Sequence, residues 1–203
     1  PIFAQLDYNG LLLDGNQHHS VDLLVAAVAY YGFIYCNFSG FCDIAIGASG
    51  MLRIRVDENF NQPYLARNVQ DFWNRWHMTL NAYMRDMVFT NLSKALVTRF
   101  GTKRLNACLT LSILVVFLLI GLWHGRAWNF VIFGLLHGGA VVAAHWYGIM
   151  LKRLLTKEQY RGYTSSTPIR VIVTALTFVY ICATFAVFAN DIESLGRISQ
   201  ALV

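Results

Sequence analysis

The run from Leu105 to Trp123 carries no charged residue. A helix rises about 1.5 Å per residue, so this run is long enough to cross about 30 Å of hydrocarbon. Two more runs meet that condition. Trp128 to Gly148 has His137 and His145 as its titratable groups, and Ile169 to Ala189 has Arg170 at its edge. A fourth, Val21 to Phe41, is apolar but is interrupted by Gly32 and Gly40. The composition agrees with these spans. Hydrophobic residues make up 56% of the 203 residues and charged residues 13%, where soluble domains average roughly 45–50% and about 25%. Such proportions exclude a disordered chain, a coiled coil and a disulfide miniprotein, and they disfavour an ordinary soluble enzyme. The expected fold class is an all-α membrane protein: a polytopic helical bundle crossing at about 21–41, 105–123, 128–148 and 169–189. Residues 42–104 are expected to form a re-entrant or interfacial region with amphipathic helices.

The net charge of +5 comes from scattered basic residues that flank apolar runs, so no compact patch for nucleic acid exists. Lys94, Arg99, Lys103 and Arg104 precede the Leu105 run, and Lys152, Arg153, Lys157, Arg161 and Arg170 separate the last two runs. The positive-inside rule puts both clusters on the cytoplasmic side and both chain ends outside. No secretory signal shape precedes the first domain-like segment, and the chain, which begins at Pro1, is expected to be a piece of a longer protein.

From Asp71 to Phe89, the residues Phe72, Trp73, Trp76, Leu80, Tyr83, Met84, Met87 and Val88 recur at spacings of three and four. That pattern predicts one continuous amphipathic helix. It either lies in the interface, with Trp and Tyr at headgroup level, or carries a site inside protein.

Histidine at membrane depth is costly and marks a functional site by default. His77 follows Trp76 in the amphipathic stretch, and His124 ends the uncharged run in Gly121-Leu122-Trp123-His124-Gly125. An imidazole with an ordinary pKa near about 6.5 takes a proton at neutral pH, and desolvation keeps it in the neutral form that a general base needs. Each histidine also has a bland reading as an interfacial residue beside a belt tryptophan. His137, in Leu136-His137-Gly138-Gly139, has a bland reading as a hydrogen bond between closely packed helices. His145 reads as interfacial, and His18 and His19 lie in a polar stretch. The four cysteines form no C-x-x-C pair, and no metal site is expected. No Walker loop, Rossmann fingerprint, G-x-S-x-G elbow or H-E-x-x-H occurs. No internal repeat is present either, and transporters tend to show one.

Four motifs occur in order. Phe38-Ser39-Gly40-Phe41-Cys42-Asp43-Ile44-Ala45-Ile46-Gly47 is similar to "FSGYSDMAIG". Glu58-Asn59-Phe60-Asn61-Gln62-Pro63-Tyr64 is similar to "ENFNxPY". Asp71-Phe72-Trp73-Asn74-Arg75-Trp76-His77-Met78-Thr79-Leu80, with Arg85-Asp86, is similar to "FWRRWHxSL…RD". Gly121-Leu122-Trp123-His124-Gly125, Trp128 and Leu136-His137-Gly138 are similar to "GLWHGxxW…LHG". Together they resemble the membrane-bound O-acyltransferases, and within them the bacterial branch that modifies extracytoplasmic glycans by O-acetylation of alginate or D-alanylation of teichoic acid. The resemblance covers about residues 30 to 190.

The resemblance implies that residues 1–203 are the C-terminal part of a single membrane domain in a multi-pass cell-membrane protein. It implies His124 as the catalytic histidine and His77 as a second active-site histidine. Asn74, Arg75, Trp123 and His137 are the substrate-binding candidates, and His77, Asn74 and Arg75 the candidates to bind an oxyanion. It implies transfer from a cytoplasmic-side thioester, free or on a carrier protein, to a hydroxyl of a glycan or through a glycan-acylating partner protein. No resident cofactor is expected, and the bilayer is a partner. Arg85-Asp86 is followed by Met87-Val88-Phe89-Thr90-Asn91-Leu92, which looks more like the D-alanyl branch, whereas Val187-Phe188-Ala189-Asn190 looks more like the acetyl branch. Acetyl transfer is the expectation and D-alanyl transfer the alternative. A non-catalytic transporter segment or assembly subunit is the reading from another class.

Overall fold

A computed structural model describes residues 20–201; His18 and His19 lie outside them. All of the regular structure among the described residues is helical. The first helix, α1 (Ser20–Met51), is followed by an extended stretch and a single tight turn at Pro63–Leu65. Two short helices come next, α2 (Val69–Trp73) and α3 (Met78–Met84). A π-helical turn at Arg85–Phe89 leads into α4 (Thr90–Phe100). The long helices α5 (Leu105–His124) and α6 (Trp128–Leu154) form a hairpin. The short α7 (Lys157–Ser165) connects them to α8 (Thr167–Ala189), and α9 (Ile192–Ala201) follows.

Four of these helices are long and apolar enough to cross a membrane, at Val21–Met51, Thr102–His124, Trp128–Leu154 and Thr167–Ala189. The expected span at 21–41 is corrected in length. The helix continues through Cys42 and Asp43 to Met51, because Gly40, Gly47 and Gly50 stand in open space and nothing there forces the chain to turn. The last two spans also extend, to Leu154 and back to Thr167, so that Lys152 and Arg153 occupy the final turn of α6. Cations at a helix C-terminus complement its dipole.

The hairpin α5–α6 is held by close backbone approach. A Cβ at Gly121 would fall on the carbonyl oxygen of Phe130, and one at Gly134 on that of Phe117. In hydrocarbon the driving force between helices is packing, so small residues that let backbones touch are what joins them. Trp146 Nε1 donates to Thr110 Oγ1 at 3.1 Å and ties the far end of the hairpin. Helix α8 is fastened to α6 by Asn129 Nδ2 donating to the Phe188 carbonyl at 2.9 Å and by Tyr180 Oη donating to the Leu136 carbonyl at 2.9 Å. The basic ends of α4, α6 and α8 thus gather at one end of the bundle. His124 and Phe188 meet at the other, with ring centroids 4.9 Å apart.

One polar chain runs through the core. Trp73 Nε1 donates to His137 Nδ1 at 3.0 Å. An indole N–H only donates, so Nδ1 is bare and Nε2 carries the proton. Nε2 then donates to Thr184 Oγ1 at 2.9 Å, and that hydroxyl donates to the Ile181 carbonyl at 2.9 Å. His137 is fully buried, and burial of a polar ring is tolerable because both nitrogens are paired. The chain links α2, α6 and α8.

Two outcomes follow. Gly134→Leu is expected to destabilise the hairpin by at least the about 1–3 kcal/mol typical of overpacking, whereas Gly139→Leu, whose Cβ meets nothing within 4 Å, leaves it unchanged. Thermal unfolding in detergent reads both. Trp73→Phe leaves a buried acceptor unpaired, and is expected to cost about 1–3 kcal/mol in the same assay.

Candidate active site

The helix predicted over Asp71–Phe89 is broken in the structure. It stops at Trp73, turns through Asn74–His77 and restarts at Met78. His77 has φ 45° and ψ 53°, the left-handed region that costs a non-glycine residue free energy. The apolar period hides the break because Phe72, Trp73 and Trp76 all still face the core. The loop Glu58–Tyr64 holds the break open. Asn61 N–H donates to the Arg75 carbonyl and Met78 N–H to the Asn59 carbonyl, each at 2.9 Å. Asn81 Nδ2 caps the Trp73 carbonyl at 2.9 Å. Two of the sequence motifs therefore form one paired unit, with His77 at its turn.

His77 and His124 line the same cavity, of about 140 Å³. Its other walls are apolar or aromatic, among them Phe38, Trp76, Leu80, Phe133 and Phe188. The His77 ring meets Phe38 edge to face at 4.9 Å. His124 packs edge to face on Phe188 and against Trp123, and is exposed on its outer side. Its position at the end of α5 depends on Gly125, where a Cβ would collide with the Phe130 ring that stacks near His124. His77 is half-buried. Burial first, and then the imidazole of His124, push its pKa down to about 4, so it is neutral at physiological pH.

A second cavity, of about 230 Å³, lies on the other side of Trp73, which lines both. It is more polar, with Gln70, Asn74, Asn81, Arg85 and His145 on its wall. His145 is half-buried, and its Nε2 is enclosed without a hydrogen-bond partner among the described residues.

Of the residues singled out from sequence, the structure brings His77 and His124 together. Asn74 lines the second cavity instead. Arg75 is turned away, paired with Asp71 at 3.0 Å and reaching the Asn61 carbonyl at 3.3 Å. Trp123 is 65% exposed and covers one side of His124. His137 has a protein partner on each ring nitrogen, so neither is open to a ligand. Asn59 was missed. Its side-chain oxygen lies 3.1 Å from His77 Nδ1, and the only sequence signal for it was its place in the Glu58–Tyr64 motif. No group of His, Cys, Asp and Glu among the described residues could hold a metal ion.

Comparison with known proteins identifies the family of the chain. The profile of MBOAT, the membrane-bound O-acyltransferase family, matches residues 17–187. A peptidoglycan O-acetyltransferase of Helicobacter pylori is 31% identical over 88% of this chain and 31% of its own length. A teichoic acid D-alanyltransferase of Bacillus subtilis is 29% identical over 82% of this chain and 41% of its own. A probable alginate O-acetylase of Azotobacter vinelandii is 43% identical over 58% of this chain and 22% of its own. The chain thus spans between about a fifth and two-fifths of the length of these relatives. With the profile matching most of its length and four helices able to cross a bilayer, this multi-pass membrane chain belongs to the membrane-bound O-acyltransferase family.

Proposed function

We propose that the chain carries the reacting centre of an O-acyltransferase that moves an acetyl group from a thioester to a hydroxyl of an extracytoplasmic polysaccharide. The observation that supports this is the pairing of two histidines from distant segments in one cavity whose remaining walls are apolar or aromatic. The relatives named for peptidoglycan and alginate O-acetylation support acetyl as the group moved.

His124 acts as general base. Its neutral imidazole takes the proton of the acceptor hydroxyl as that oxygen attacks the thioester carbonyl. The tetrahedral intermediate collapses by breaking the carbon–sulfur bond, and the thiolate leaves with the proton returned from the imidazolium. The products are an ester and a thiol. Dry aromatic walls strengthen the electrostatic contacts of this step and keep water from the donor. The thioester is a cosubstrate, and no resident cofactor is invoked. The donor enters on the side of the more polar cavity, toward the basic ends of α4, α6 and α8, which face the cytoplasm by the positive-inside rule. The glycan meets His124 at the opposite end. The donor's protein carrier, where it has one, would dock at the basic end.

His124→Ala in the whole protein is expected to lower acyl transfer in membranes by about 10²–10⁴-fold, the usual worth of a general base. Mass spectrometry of the surface glycan reads the loss. The lost mass identifies the group: acetyl as proposed, or D-alanyl as in the Bacillus relative. Near-normal transfer by the variant would return the chain to a non-catalytic membrane role. A tag placed after Val203 is expected to be reached from outside the cell, and a cytoplasmic tag would overturn the orientation.

A further inference from the structure

Asn59 is 8% exposed, and its side-chain oxygen carries three polar contacts. The backbone N–H of Thr79 donates to it at 3.1 Å, the Thr79 hydroxyl donates at 3.0 Å, and His77 Nδ1 lies 3.1 Å away. Its nitrogen, Nδ2, faces Cys42 Sγ on α1 at 3.5 Å. Histidine tautomers and amide orientations normally have to be inferred from the surrounding network. Here the network leaves one solution. A backbone N–H can only donate, so the Asn59 atom it meets is the oxygen. An oxygen that accepts cannot give a proton to His77, so Nδ1 must carry the proton and donate. In a neutral imidazole the other nitrogen is then bare. Among the described residues nothing bonds Nε2.

We propose that Asn59 is a positioning residue that locks His77 as the Nδ1–H tautomer, so that Nε2 offers the cavity a lone pair and accepts a hydrogen bond from a second hydroxyl of a polyhydroxylated acceptor. The inference rests on the acyl-transfer reading above and adds a second contact between the site and its acceptor. Two imidazole acceptors in an otherwise apolar wall suit two hydroxyl hydrogens, as neighbouring carbons of a sugar ring present them. One hydrogen is removed by His124 and the other is held by His77. A neutral His77 in this tautomer has no proton at Nε2 to give an oxyanion. The imidazolium formed on His124 in the attack step supplies the positive charge near that oxygen instead.

The low pKa of His77 keeps the lone pair available across the physiological range. The titratable groups around it are His124 across the cavity on α5, Cys42 behind Asn59 on α1, and the ion pair between Arg75 on its own loop and Asp71 on α2. None of these bonds the ring. Asn59→Asp would place an anion against Nδ1–H. An anion favours the imidazolium and raises the pKa of His77, by about one to three pH units for a close partner. Protonation fills Nε2, so the bare nitrogen is lost below the raised pKa.

The direct test is the ¹⁵N spectrum of histidine-labelled whole protein in lipid at neutral pH, with the His77 signals assigned by their loss in His77→Gln. A protonated Nδ1 and a bare Nε2 are expected, and the reverse tautomer or an imidazolium overturns the proposal. The second test is the pH titration of those His77 signals. In Asn59→Asp the imidazolium of His77 is expected to persist to about one pH unit or more above the wild type, and superimposable titrations overturn the proposal. The spectrum does not depend on turnover. The expected tautomer found alongside full activity of His124→Ala would therefore leave the Asn59–His77 pairing standing and overturn His124 as the base of the acyl-transfer reading, and with it the acceptor assigned to Nε2.

Discussion

The hydrogen-bonded chain Trp73–His137–Thr184 is the interaction on which the rest of the arrangement depends. A polar ring enclosed in an apolar bundle must have both nitrogens satisfied or cost the bundle stability. Satisfying His137 recruits one residue from α2 and one from α8. The short helix α2 is thereby anchored among membrane-spanning helices, although its five residues could not hold a stable helix alone. Anchoring α2 also fixes Trp73 as the wall between the two cavities and sets where the turn carrying His77 begins.

Glycine supplies the complementary constraint. The close contact of α5 with α6 at Gly121 and Gly134 brings Phe130 and Phe133 up to His124. His77 arrives from the opposite side on a strained turn braced by the Glu58–Tyr64 loop. Neither histidine is placed by its own helix alone. The site is a product of tertiary packing, and its two imidazoles come from segments separated in sequence by α3, the π-helical turn, α4 and the length of α5.

The spans were legible in the sequence because charge-free apolar length is an unambiguous physical signal. The pairing of His77 with His124 was legible only through the resemblance. Periodicity alone placed His77 on one long helix and left both residues with an interfacial reading. The break at Asn74–His77 was hidden because a turn that keeps Phe72, Trp73 and Trp76 in the core preserves the apolar spacing. The same degeneracy hid the length of α1, where glycines read as interruptions but face open space and leave the helix intact. The division of labour among polar residues was least legible. Arg75 reads as a ligand for an anion until Asp71, four residues earlier, is seen to occupy it. Asn59 reads as a loop residue until the loop is seen folded against His77.

His77 and His124, lining one cavity, are proposed to serve one reaction. A double-mutant cycle on kcat/KM for acyl transfer, using His77→Ala, His124→Ala and the pair, tests it most directly. Groups that act as a unit are strongly non-additive. The double variant is expected to be about as slow as the slower single variant. Losses that multiply independently would contradict it.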